Sequence, residues 1–132
     1  MKSALLVVAV LVSGCAGGHL YPVQGPLSEQ KPAPVYRIKT GQGDSMTARL
    51  GNGEVCHGSW LDIVQEDPTA RDLSAEWDLV YGKGFFLANI LGHAGIARAV
   101  LTCPNDTTLH AEFDSTKGVA KDNKGNVFRL TF

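Results

Sequence analysis

Three cysteines, four histidines and a run of carboxylates are the side chains in this 132-residue sequence with the most chemistry to offer. Their spacing narrows what that chemistry is. His19, His57, His93 and His110 form no HxH or HxxxH pair, so local sequence assembles no metal site from them. Cys56 and His57 are adjacent, but neighbouring side chains on a strand point to opposite faces and cannot simply chelate. No GxSxG elbow presents a serine nucleophile. The stretches GQGDS and YGKGFF lack the spacing of a phosphate loop. DNKGN puts Lys124 where a calcium loop needs an oxygen, and no distal Glu follows. With no nucleophile beside a base and no cofactor motif, the expectation is a protein that is not an enzyme and carries no cofactor.

The carboxylates are the most concentrated feature. Asp62, Glu66, Asp67, Asp72, Glu76 and Asp78 lie close together with a single base, Arg71, among them. A solvated face, with negative charge near a helix start, accounts for such a run. The other reading is a docking surface for a basic partner through Asp62, Glu66 and Asp67.

The third cysteine stands apart. Lys2 supplies a positive start, and Ala4–Val12 is an unbroken apolar run. That run is short of the roughly 20 residues a membrane-spanning helix needs and fits the roughly 7–15 of a signal-peptide core. Small residues then lead into Cys15. The tetrad Val12-Ser13-Gly14-Cys15 resembles the lipobox of bacterial lipoproteins, and the format of the whole resembles small, functionally uncharacterised envelope lipoproteins. The resemblance covers only the leader. It implies cleavage after Gly14, a diacylglyceryl group on the Cys15 thiol, and acylation of the new amino terminus. Several acyl chains, at about 0.8 kcal/mol per buried CH₂, hold a protein firmly where one does not. Ala16 stands where lipoproteins kept at the inner membrane commonly carry Asp, so the implied address is the outer membrane, facing the periplasm.

Residues 1–14 are thus expected as leader, 15–34 as lipidated Cys and tether, and 35–132 as one globular domain. The tether expectation rests on Pro22, Pro26, Pro32 and Pro34 with three glycines, which disfavour a helix or a central strand. Extended, such a segment would reach roughly 60 Å. The domain that follows is near the common domain size. The chain has 12 basic and 13 acidic residues and a net charge of −1, and the leader removes one further base. A balance near −2 makes no electrostatic case for nucleic acid or anionic lipid.

The elements that position these residues follow from parity. Met46, Ala48 and Leu50 alternate with polar neighbours, as do Cys56, Gly58 and Trp60. Ala97, Ala99, Leu101 and Cys103 share one face with Arg98 and Thr102 opposite, and Leu109, Ala111 and Phe113 oppose His110, Glu112 and Asp114. A hairpin about Asn123–Asn126 leads to Phe128, Leu130 and Phe132, and Val35–Lys39 adds a further strand. Alternation between Gly, Asn and Asp turns predicts half-buried antiparallel strands. Leu73, Trp77, Val80 and Tyr81 instead form a helical stripe that Gly82 and Gly84 would end. The predicted fold is mostly β, a small antiparallel β-sandwich or barrel with one short helix.

Parity also puts Cys56 and Cys103 on the core face. Export to an oxidising compartment favours a disulfide between them, with two separate core thiols or a catalytic cysteine as the alternatives. The functional expectation is a lipid-anchored envelope protein with a structural or partner-binding role, attached to the membrane through its lipid, with another envelope protein as the expected partner. A second reading is an inhibitor of a cell-wall hydrolase, since periplasmic lysozyme inhibitors are also small lipidated β-barrels.

Overall fold

The computed structural model describes residues 17–62 and 73–132. Eight strands, β1 (Gly17–Gln24), β2 (Tyr36–Thr40), β3 (Ser45–Arg49), β4 (Val55–Asp62), β5 (Ala97–Thr102), β6 (Thr108–Phe113), β7 (Lys117–Asp122) and β8 (Val127–Thr131), pair antiparallel in chain order. β8 pairs back onto β1, so the sheet closes into a barrel. Closure is the geometry that leaves no strand edge unpaired. An eight-stranded ring has an interior just wide enough for side chains to fill, and here Leu20, Ile38, Met46, Leu101, Leu109 and Phe128 fill it. The alanines read as inward, Ala48, Ala99 and Ala111, are buried between them. Gly58 of β4 packs tightly against β5: a Cβ there would strike the Val100 carbonyl.

Strands of five to eight residues, apolar inside and polar outside, invert the pattern of a membrane-spanning barrel, whose strands run to roughly 9–11 residues. Among the described residues no helix is long and apolar enough to cross a membrane either.

The segment expected as a tether is corrected by this topology. Gly17–Gln24 is a strand, paired with β2 through Leu20 and with β8 through Gln24. The globular unit therefore begins at Gly17 instead of Val35. Pro22 is tolerated because pairing with β2 has already stopped at Leu20, and the β8 register shifts between Pro22 and Gln24, where a missing amide donor costs little. Pro26–Glu29 then makes one 3₁₀ turn. The Leu27 amide donates to the buried Asn126 side chain at 2.9 Å, which fixes this turn over one end of the barrel.

The connection from β4 to β5 carries the helix α1 (Ser74–Tyr81) and a π-helical turn, Phe86–Ile90. The predicted stripe is the buried one: Leu73 and Trp77 are fully covered, with Val80 and Tyr81 packed beside them. The Tyr81 hydroxyl donates to the Gly118 carbonyl of β7 at 2.9 Å, so the helix lies across the outside of the β7–β8 wall. Gly82 ends it as expected, with φ of 117°. Asp72, the carboxylate of the acidic run that immediately precedes Leu73, lies outside the described residues. Phe132, read as inward, sits at the rim, 36 % exposed with its ring against Phe113.

Candidate functional site

Cys56 of β4 and Cys103, just past β5, are joined by a disulfide that spans 47 positions of sequence. Both are buried where parity put them. Cys15 lies outside the described residues, as do Glu66 and Asp67. Asp62 is at the end of β4, exposed and opposite Ala97. The acidic set is therefore not assembled by the described structure. His19 and His57 point outward from β1 and β4 and are exposed, and among the described residues no three His, Cys, Asp or Glu side chains converge as metal ligands.

Two clusters that sequence reasoning did not find are built by the barrel. The first lies under α1. Glu112 points away from the barrel axis, as its parity requires, yet it is wholly buried. The Trp77 indole N–H donates to its Oε1 at 3.0 Å, and Arg98 on the neighbouring strand forms an ion pair with its Oε2. A carboxylate without water must find donors, and here the helix and β5 supply them. At the helix end, Asp78 accepts the amides of Gly84 at 3.1 Å and Phe86 at 2.9 Å. Those two bonds hold its pKa below the usual carboxylate range. Asp114, in the β6–β7 turn, is pushed up by partial burial. The bonds from the Thr116 and Lys117 amides and side chains outweigh that and leave it lowered. Burial raises the Tyr81 phenol.

The second cluster occupies the bare wall of β1, β2 and β3. Register places His19 opposite Arg37, and Arg37 in turn opposite Arg49. In the next row Gly17 faces Lys39, which faces Thr47. All four of His19, Arg37, Lys39 and Arg49 are exposed. They wall an open trough of about 470 Å³. Its floor is low at Gly17, where a side chain would meet nothing within 4 Å. Arg129, one strand further round, stacks its guanidinium over Tyr21 at 5.4 Å.

No carboxylate alternates onto the outward positions of these three strands. The Arg98–Glu112 and Lys117–Asp114 ion pairs both lie elsewhere. Directly opposed side chains stand about 5 Å apart at Cβ, and like charges there destabilise a sheet. Arg37 against Arg49 is such a pair, relieved only where Arg49 donates to the Gly53 carbonyl at 3.3 Å. The chemistry this wall offers is recognition of an anion: planar guanidinium forks suit carboxylate or phosphate oxygens. Parity alone could have marked Arg37, Lys39 and Arg49 as outward, but only the pairing of β1 with β2 sets them beside His19.

Comparison of the chain with protein-family models, with curated proteins and with solved structures returned no match.

Proposed function

We propose that this chain is a lipid-anchored protein of the cell envelope, with a non-enzymatic structural or partner-binding role, moored to the outer membrane and facing the periplasm. The observation that carries the reading is the leader: positive residue, apolar run, small pair and Cys15 in order. The Cys56–Cys103 bridge supports it, since disulfides form and persist in exported proteins. Mass spectrometry of protein purified from cells tests the reading. The expected result is a chain that begins at residue 15 with a diacylglyceryl group on its thiol and fractionates with membranes. A bare thiol on freely soluble protein overturns it.

The inhibitor reading has one observation in its favour, a closed and disulfide-bridged small barrel. Lysozyme assayed with the barrel in excess discriminates: full residual activity removes this alternative and leaves the anchoring role.

A further inference from the structure

We propose that the bare wall of β1–β3 docks on the anionic phosphate surface of the membrane, with Arg37, Lys39 and Arg49 as its contacts. The inference rests on the reading of Cys15 as the lipid-bearing residue and adds to it an orientation and a lipid class.

Two observations lead there. The first is reach. β1 starts at Gly17, so Ala16 alone separates it from Cys15. Two residues span at most about 7 Å, which leaves no tether to stand the barrel off from its lipid. Lys39 is the direct cross-strand neighbour of Gly17, and Arg37 and Arg49 lie in the adjoining row. The cations are therefore at the moored end of β1, within about a Debye length of the headgroups at physiological salt.

The second is charge. Arg37, Lys39 and Arg49 form no ion pair among the described residues, and two of them repel each other across β2–β3. A layer of phosphates supplies the missing counter-charge. An anionic membrane fits better than a free polyanion such as nucleic acid. The chain as a whole is acidic, with 13 carboxylates against 12 bases, so a polyanion in solution is repelled from most directions. A surface already held beside the wall needs only the local charge, because mooring raises the effective concentration of headgroups.

The test uses the chain from residue 15 onward with Cys15→Ser, which keeps every strand but carries no lipid. It is mixed with vesicles of phosphatidylcholine, with or without phosphatidylglycerol, at low salt and sedimented. Partition into the anionic vesicles is expected. It should fall about a hundredfold in R37Q/K39Q/R49Q, at about fivefold per cation. It should also fall in high salt and hold in K83Q/K124Q, whose lysines lie off this wall. A thermal transition at the parent temperature shows that the variant is folded. Equal binding of parent and triple variant, or of anionic and neutral vesicles, overturns the proposal. So does saturation of the wall by inorganic phosphate where vesicles do nothing, or tighter binding of a single-stranded oligonucleotide than of vesicles.

Mass spectrometry of residue 15 separates the two ideas. An acylated Cys15 with no vesicle binding removes the docking wall and leaves the anchor. A bare Cys15 with vesicle binding intact removes the anchor and leaves an anion-seeking wall.

Discussion

Val119 and Arg37 both point away from the barrel axis, yet Val119 is fully buried and Arg37 is exposed. The difference is α1. Over β6–β8 the helix adds a second layer, and outward Val119 there joins a second apolar cluster with Trp77, Phe86 and Ile90. Over β1–β3 no second layer lies among the described residues, and Arg37, Lys39 and Arg49 point outward there. One wall of the ring is thus a structural interface and the other is a surface whose opposed like charges do nothing for the fold. Stability and interaction have been put on different sides of one sheet.

Substitutions can break or sharpen that contrast. The largest effect is expected from the staple at the barrel's end, which belongs to neither wall. Replacing Cys56 and Cys103 together by Ala frees a loop of 47 positions and should cost about 4 kcal/mol in chemical denaturation. A loss below about 1 kcal/mol would show that the packed ring sets stability by itself. Next comes the covered wall. Trp77→Phe keeps an aromatic ring under the helix but deletes a donor to the buried Glu112, and about 1.5–3 kcal/mol should be lost. An unchanged midpoint would mean that Glu112 is satisfied without the helix.

A smaller effect appears with pH. Asp78 and Asp114 both have folded-state pKa values below their ordinary ones. Each therefore contributes stability that is present above the ordinary carboxylate range and lost as pH falls through the folded value. The melting temperature should decline below about pH 4, and Asp78→Asn should flatten part of that decline by removing one titrating acceptor at the helix end. An identical profile in the variant would disconnect Asp78 from acid sensitivity. The smallest effect belongs to the bare wall. R37Q/K39Q/R49Q should leave stability within about 0.5 kcal/mol, with any change a gain from relieved repulsion. A clear loss by calorimetry would make these cations part of the fold and erase the contrast between the walls.

Much of the scaffold was legible before any coordinates. β3 to β6 and β8 show period-two alternation because each has one face in the core. β7 does not, since its outward Val119 is buried under α1. The α1 stripe shows period 3.6 because one side of the helix is covered. β1 was not legible. Its glycines and Pro22 read as a tether, and only the pairing partners, β2 and β8, make it a strand. Glu112 was placed on the correct side of β6 but not in its true environment, because parity reports which way a residue points and is silent on what covers it. The cationic wall was hidden for a third reason. Arg37 and Lys39 sit in one strand and Arg49 in another, and a net charge of −1 averages them with carboxylates that lie elsewhere. Composition sums charge, whereas a surface segregates it.

The seam between β1 and β8 has a consequence for how the molecule is made. The earliest strand of the barrel finds one of its two neighbours only in Val127–Thr131, the last of the eight strands. A chain made amino terminus first therefore keeps one hydrogen-bonding margin of β1 raw until the residues of β8 have been added. Ring closure thus waits on the last of the eight strands, and removal of Val127–Thr131 would leave the vessel unsealed.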